Sequence, residues 1–467
     1  MRTGADAPVA LVRGKWRVRT ARARARRPGS RPARIAAGPG VLLPRVMMGA
    51  MGTSESAVHV VGLAGDRPAT PEGAAALAAA TLVAGGALPL AAFRDRAGDA
   101  PVPETVLLGA PLQPTLERIA AHAGPVAVLA SGDPGWFGIV RTLARSVDAA
   151  RIVVHPAPSS VARAFSRVAL PWDDARVVSA HARGTGGITA VLGALLAGPK
   201  VAVLTAPDCD PSFLACAYDR IPGAPERTLA VCERLDAPDQ RVTIGSPAEI
   251  AAGTFADPNV LLAWRPGHPV AAERTAIQPP RAATSWALPE DAFEHRAGMI
   301  TKREVRAAAL AALGPGPGDL VWDVGCGSGS VAVECARLGA GVIALDHDED
   351  AVALTRRNAA AHDVELAAVH ASAPDGLTGL PDPDVAFVGG GGADLDRVVD
   401  VAAARARRAV VVTLATVERI GPVLERLEAA GLRAEGTLVQ ASRLRPFVGA
   451  HRLEPVNPTA VLVGRRD

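Results

Sequence analysis

Along this chain, short apolar runs that suit buried strands alternate with longer stretches whose apolar residues recur at helical spacing. Residues 59–63 read as a first strand leading into a glycine turn, and 72–84 as a long alanine-rich helix. Residues 125–130 and 151–155 read as strands, with a helix over 139–146 between them. A helix near 159–168 then precedes strands at 176–180, 200–205 and 259–263. Alternation of this kind predicts parallel sheet with crossover helices.

The pattern breaks at 265–290, which holds five prolines and no clear period and reads as a linker. A second unit opens with a helix over 302–313, followed by strands at 342–345, 365–370, 384–388 and 409–414. Two strand-like segments, 433–442 and 459–464, suit an antiparallel finish. The divisions expected are a basic, disordered extension over 1–51, a first domain over 52–264, a linker over 265–292 and a second domain over 293–467.

One stretch of the second unit carries the chemistry. Val321-Trp322-Asp323-Val324-Gly325-Cys326-Gly327-Ser328-Gly329 reads as strand and glycine turn, with a helix over 330–338 after it. Asp346 closes the next apolar strand, seventeen residues past Gly329. Such a turn lets backbone approach a nucleoside, and the acid accepts from ribose hydroxyls. A dinucleotide site spaces its glycines Gly-x-Gly-x-x-Gly; here the third arrives one residue early, as in S-adenosylmethionine (SAM) methyltransferases. The cofactor contacts expected are Gly325, Cys326, Gly327, Ser328 and Gly329, with Asp346 on the ribose and Ala373 beside the adenine. The competing reading of Asp346 is a helix cap, since His347-Asp348-Glu349 follow it.

Charge narrows the partners. Residues 1–50 carry eleven Arg and one Lys against one Asp, a net +11 within a chain of +3, so the rest stands at −8. An acidic body with 3% aromatics lacks the basic face that phosphate binding needs. The extension has Arg26-Arg27 ahead of Val41-Leu42-Leu43, but Pro44 and Arg45 cut that apolar stretch short, and Met47, Met48 or Met51 could serve as the start. Five cysteines without a Cys-x-x-Cys argue against a metal site or disulfide framework and fit a reducing cytoplasm. No apolar run reaches the eighteen or so residues of a membrane span.

In the first unit, Ala130-Ser131-Gly132-Asp133-Pro134-Gly135-Trp136-Phe137-Gly138 follows a strand. His155-Pro156-Ala157-Pro158-Ser159-Ser160-Val161, Leu170-Pro171-Trp172-Asp173-Asp174-Ala175-Arg176 and Ser179-Ala180-His181-Ala182-Arg183 come next, then Leu204-Thr205-Ala206-Pro207-Asp208. In this order they resemble the tetrapyrrole (corrin and porphyrin) methylase family. The second unit resembles the small class I methyltransferase that partners it in cobalamin synthesis, through Gly298-Met299-Ile300-Thr301-Lys302-Arg303-Glu304-Val305-Arg306, the glycine turn, Ala373-Pro374, Phe387-Val388-Gly389-Gly390-Gly391-Gly392 and Asn457-Pro458.

The resemblance implies an α/β chain with a tetrapyrrole-methylase fold of two α/β subdomains fused to a Rossmann-like class I methyltransferase. It also implies SAM as cofactor, with Gly62, Ser131, Gly132, Asp133 and Ser160 lining the first cleft and Thr301 a contact in the second; His181 and Thr205 are further first-cleft positions. One departure stands out: the family's first turn is Gly-x-Gly then an acid, whereas here it is Gly62-Leu63-Ala64-Gly65-Asp66, which makes Gly62 the better contact and opens the possibility of a weakened first half. The activity implied is methylation of a precorrin macrocycle at carbon 5 by the first half, and at carbon 15 with loss of an acetate's carbon dioxide by the second. The partners expected are this tetrapyrrole and further copies of the chain, with neither nucleic acid nor membrane.

In-line methyl transfer asks the protein mainly to hold donor and acceptor together and exclude water, so no acid–base dyad is expected. Lys302, Arg303, Arg443, Arg445 and Arg452 are candidates for the substrate's carboxylates, and Glu304 and His451 are residues to test for the decarboxylation. Two alternatives remain: a chain in which only the second half is active, or one acting on another small molecule or on a nucleic acid. Against the last, Gly389-Gly390-Gly391-Gly392 stands where adenine methyltransferases carry a proline–aromatic loop that stacks a flipped base.

Overall fold

Three sheets follow one another along the chain in the computed structural model, which describes residues 56–180, 186–267, 285–296, 298–389 and 392–466. The basic extension, His181, Gly390, Gly391 and most of the proline-rich stretch lie outside the described residues.

The first sheet is built from β1 (Val58–Ala64), β2 (Arg67–Pro68), β3 (Leu82–Gly85), β4 (Glu104–Leu107), β5 (Val126–Ser131) and β6 (Ile152–His155), with α1 (Pro71–Ala79), α2 (Ala87–Ala97), α3 (Gln113–Ala121) and α4 (Val140–Leu143) between them. Its strands run parallel in the order β4-β3-β5-β1-β6, and β2 turns back antiparallel against the end of β1. The long helix expected over 72–84 stops at Ala79. Thr81 and Leu82 bond instead to the Pro125 carbonyl, and the fully buried Leu82-Val83-Ala84 pairs with β5 as a central strand. Tertiary pairing overrides alanine's helix propensity there. The helix expected over 139–146 shrinks to the four residues of α4.

The second sheet takes β7 (Arg176–Ser179), β8 (Lys200–Leu204), β9 (Thr228–Glu233), β10 (Arg241–Gly245) and β11 (Asn259–Trp264), with α5 (Ser160–Arg167), α6 (Gly186–Ala197), α7 (Pro211–Asp219) and α8 (Pro247–Ala251). Only β7 and β8 are parallel, as the alternation predicted; β8-β11-β9-β10 are antiparallel, which it did not. The short turn between β9 and β10 leaves no room for a crossover helix, so a hairpin is the accessible topology.

The third sheet orders β14-β13-β12-β15-β16-β18-β17 from β12 (Leu320–Val324), β13 (Gly341–Asp346), β14 (Ala367–His370), β15 (Val385–Val388), β16 (Ala409–Leu414), β17 (Arg433–Phe447) and β18 (Ala450–Arg465). Its helices are α9 (Arg303–Leu313), α10 (Ser330–Arg337), α11 (Glu349–Ala361), α12 (Leu395–Arg405) and α13 (Ile420–Ala429). The expected elements appear close to their sequence positions, and the closing hairpin is longer than its apolar pattern.

Alternate residues of the central strands face opposite ways, as the two-residue strand period requires. Val321, Val342 and Ala344 pack under α9, α10 and α11, while Trp322, Val324, Ile343 and Leu345 join a second core on the other face. The connection from β14 to β15 holds only the 3-10 turn Asp375–Leu377, so no helix of this unit's own crosses there. Helix α6 packs there instead, against β12 and β13. Val191, Leu192, Leu195 and Leu196 are buried in one core with Trp322 and Ile343. A helix apolar on every side belongs between two layers.

Contact is close enough to require glycines. A Cβ on Gly193 would lie 2.7 Å from the Asp319 carbonyl, and one on Gly341 2.5 Å from the Gly193 Cα. Charged groups close the margin: Arg227 Nη2 meets Glu365 Oε2 at 2.7 Å, Arg265 Nε meets Glu365 Oε1 at 2.8 Å, and Arg176 donates to the Gly339 carbonyl at 3.2 Å. Thr53–Asp467 accordingly forms one compact unit.

Candidate functional site

The carboxyl ends of β12, β13 and β14 converge beside the point where the sheet order reverses between β12 and β15, where open α/β sheets bind ligands. Gly325, Gly327 and Gly329 have φ of 74°, 54° and 70°, the left-handed region that an alternating glycine turn supplies without strain. Gly325 and Cys326 donate to the Leu345 carbonyl at 2.8 and 3.2 Å, which ties the turn to β13. A Cβ on Gly329 would strike Thr355 at 2.6 Å, so that glycine serves packing, whereas one on Gly327 would meet no heavy atom within 4 Å. Open space at Gly327 is what close approach of a ligand requires.

Asp346, 7% exposed, accepts from Gly327 N–H at 2.9 Å through Oδ2 and from Asp348 N–H at 3.0 Å through Oδ1. The helix cap is Asp348, whose Oδ1 accepts from Asp350 N–H, so the capping alternative for Asp346 falls. A carboxylate offers about four acceptor positions; the two N–H groups take one on each oxygen, and the exposed His347 ring stands 3.2 Å from Oδ1, which leaves Oδ2 the freer oxygen for a hydroxyl. Ala373 follows β14 in the segment whose Ala371 N–H bonds the Asp346 carbonyl. Thr301 stands two residues before α9, its carbonyl held by Arg306 at 2.7 Å.

Sequence reasoning passed over Asp323. Its Oδ2 accepts from Ala332 N–H at 2.8 Å, but its fully buried Oδ1 has no partner among the described residues. Burial, with the Asp346 carboxylate adding to it, pushes Asp323 up to about 7. The acid two residues before the first glycine was the available signal. Burial and the nearby Asp323 also push the Cys326 thiol up, so it is no thiolate nucleophile at neutral pH.

In the first half, Gly62, Gly132, Asp133 and Ser160 gather at the carboxyl ends of β1, β5 and β6. A Cβ on Gly62 would meet Ala157 at 2.8 Å and the Gly132 carbonyl at 2.9 Å, so close backbone packing already accounts for that glycine. Gly132 has φ 77° and donates to the Leu63 carbonyl at 3.0 Å; Asp133 Oδ1 accepts from Gly135 N–H at 2.8 Å, and Ser131 is exposed. Ser160 opens α5, capped by Ser159, whose Oγ accepts from Ala162 N–H at 3.1 Å. Thr205 is buried and donates to Asn259, which occupies its hydroxyl.

Gly65, the displaced glycine, has φ 65°, and a Cβ there would lie 3.1 Å from the Asp236 carbonyl in the β9–β10 turn. Arg163 holds that turn through Asp236 and stands over Gly132. Neither Arg163 nor Asp236 was singled out from sequence, because the contact joins residues 73 positions apart.

The carboxylate-binding candidates divide. Arg443 is committed to Glu304 and Glu290, each at 2.6 Å. Burial alone would raise Glu290, but Arg443 and the Arg303 N–H override it and hold that carboxyl at about 2. Arg443 is thus a structural cation, and Glu304 its ionised partner. Arg445 and Arg452 pair with Glu454 on the exposed hairpin that also carries His451, Lys302 bonds the Gly298 carbonyl, and Arg303 is exposed. Among the described residues no group of three or more His, Cys, Asp or Glu could hold a metal, and no helix is long and apolar enough to cross a membrane.

Residues 58–251 match the Tetrapyrrole (Corrin/Porphyrin) Methylases, and residues 291–463 match the Precorrin methyltransferase domain. A precorrin-6Y C(5,15)-methyltransferase [decarboxylating] of Sinorhizobium sp is 39% identical over 297 residues, 62% of this chain and 68% of that one. The enzyme of that name from Mycobacterium tuberculosis is 33% identical over 284 residues, 60% of this chain and 67% of that one. A probable cobalt-precorrin-6B C(15)-methyltransferase (decarboxylating) from Pyrobaculum calidifontis is 39% identical over 163 residues, 33% of this chain and 84% of that one. The chain matches both methylase families in turn and is 39% identical to a relative over 68% of its length: the protein is a methyltransferase and belongs to the precorrin-6Y C(5,15)-methyltransferase (decarboxylating) family.

Proposed function

We propose that this chain transfers two methyl groups from SAM to a precorrin macrocycle, at carbon 5 in the first half and at carbon 15 in the second, the latter with loss of carbon dioxide from an acetate arm. The single observation that carries the reading is the second half's site: an unpartnered, fully buried Asp323 Oδ1 beside a turn that is open at Gly327. That set fits SAM. Its ammonium would supply the donor Asp323 lacks, its ribose hydroxyls would suit the remaining acceptor capacity of Asp346, and a sulfonium needs close backbone rather than a base. Gly325 to Gly329, Thr301 and Ala373 would hold the rest of the molecule. In the first half, Ser131, Gly132, Asp133 and Ser160 would line the cleft with Gly62 beneath them, and Arg163 adds a cation there.

SAM supplies the electrophilic methyl; the residues orient it and keep water out. Within this reading Glu304, ionised against Arg443, holds no proton to give. The bonding pair left when carbon dioxide departs passes into the conjugated macrocycle, and the carbon left behind takes a proton from water to become a methyl. Mass spectrometry of the reduced precorrin-6 macrocycle after incubation with SAM tests the proposal. The expected product has gained two methyls and lost one carbon dioxide. One methyl with decarboxylation would leave the first half silent, and an unchanged macrocycle would refute the substrate.

A further inference from the structure

Helix α11 carries no residue of the expected site, yet two of its buried side chains grip the glycine turn. Thr355 and Asn358, one turn apart and so on one face, are 0% and 2% exposed. Thr355 Oγ1 donates to the Gly327 carbonyl at 3.2 Å and lies 3.4 Å from Cys326 Sγ. Asn358 Nδ2 donates to the Ser328 carbonyl at 2.8 Å. In a trans peptide the carbonyl and the following N–H point opposite ways. Seating the Gly327 carbonyl on Thr355 therefore turns the Ser328 N–H away from α11.

Asn358 also reaches a second segment. Its Nδ2 donates to the Glu294 carbonyl and its Oδ1 accepts from the Glu294 N–H, both at 2.8 Å. A flipped amide would set its NH2 against that N–H, so the assignment follows from the network. Both donors and the carbonyl are used, leaving no slack for another residue type. The segment around Glu294 is pinned further along as well. His362 approaches the Ala292 carbonyl at 2.8 Å, the buried Phe293 ring lies 4.8 Å under the Arg306 guanidinium, and Arg306 holds the Thr301 carbonyl. Arg306 is in turn paired at 2.8 Å with Glu334 of α10, the helix that starts at the glycine turn, and Glu334 accepts from Ala287 and Leu288 N–H.

The geometry points to Asn358, with Thr355 beside it, as the positioning residue of the second half. It ties the glycine turn to Glu294 and its neighbours, and Arg306 ties these to Thr301, so that cofactor binding at the turn and ordering of the residues leading to Thr301 occur together. The inference rests on the SAM reading of this site. It assigns α11 a role in cofactor affinity, distinct from contact with the cofactor.

The test uses the full chain and S-adenosylhomocysteine, with amide hydrogen exchange read segment by segment. In the native protein the ligand should slow exchange at 293–300 and at 328–330 together. In Asn358→Asp, which keeps the shape and removes both donors, it should slow 328–330 alone, and affinity at this half should fall about tenfold. Methylation at carbon 5 by the first half, read on the same product by mass, should persist, which separates mispositioning from misfolding. Should Asn358→Asp fail to fold, Thr355→Val should weaken binding and Thr355→Ser, which keeps the hydroxyl, should restore it. Joint protection retained in Asn358→Asp, or Thr355→Ser behaving as Thr355→Val, would overturn the inference. Protection at 328–330 alone in the native chain would likewise overturn the inference, whereas protection at neither segment would overturn the SAM reading itself.

Discussion

With Asp323 as the partner of the ligand's ammonium, as proposed, ligand binding by the second half should depend on pH. The Asp323 carboxyl is raised from 3.8 to about 7 by burial, with Asp346 adding repulsion. Three units at about 1.4 kcal/mol each place roughly 4 kcal/mol against the charged form. Below pH 4 folded and unfolded chains both hold the proton, so this group contributes no difference. Between 4 and 7 only the folded chain holds it, and protein without ligand should lose up to about 4 kcal/mol of stability as pH rises, levelling off above 7. A ligand ammonium needs the carboxylate, so binding should release a proton below pH 7. Affinity for S-adenosylhomocysteine at this half should then rise close to tenfold per unit from about pH 5 and flatten near 7. Calorimetry at pH 6 in two buffers of different ionisation enthalpy should show about one more proton released by the native chain than by Asp323→Asn. An equal release, or a pH slope that survives in Asp323→Asn, would falsify the pairing of Asp323 with the ligand.

Three further outcomes follow from the shared core. Glu365→Ala strips Arg227, whose side chain is fully buried, and Arg265 of their carboxylate; since Arg227 keeps bonds to the Leu195, Leu196 and Glu226 carbonyls, the loss should be about 2–4 kcal/mol by urea unfolding, and no change would mean that the pair carries no stability. Gly193→Val drives its side chain into the Asp319 carbonyl, with the Gly318 carbonyl next in line, which should cost about 1–3 kcal/mol and shift the melting of both halves together. A protease site placed between 267 and 285 should give two fragments that co-elute on gel filtration; separate elution would show that the α6 contact is too weak to hold the halves.

Legibility tracked the range over which each feature is determined. The glycine turn could be read because alternating left-handed backbone is a local demand that only glycine meets cheaply, and Asp346 because a strand end a fixed distance on is set by one βαβ unit. The second half's strands were legible for the same reason. Helix α6 was not. Gly186-Gly187 and Gly193 look like breaks, and a helix buried on every side shows no 3.6-residue period. Asn358 in a helix reads as an indifferent polar residue until Ser328 and Glu294 are seen on either side of it. Arg443 looked free because Glu290, 153 residues away, is invisible to spacing.

These misses share a cause, and it bears on why the two methylases occur in one chain. An expectation of two independent domains joined by a proline-rich linker makes fusion a matter of keeping two enzymes near each other. The packed interface makes it a matter of folding: the β14–β15 connection holds no helix to cover the second face of β12 and β13, and the first half covers that face with α6. The face α6 covers includes Trp322 and Val324, the strand residues on either side of Asp323. The same layer that closes the core therefore also fixes the strand whose end presents the site. Damage to α6 should accordingly be felt in the second half's ligand affinity before the glycine turn itself is altered. Calorimetry of S-adenosylhomocysteine binding to Gly193→Ala, a milder intrusion than valine, can decide this. Weaker binding at the second half with the fold intact is the expected result, and native affinity would confine α6 to stability alone.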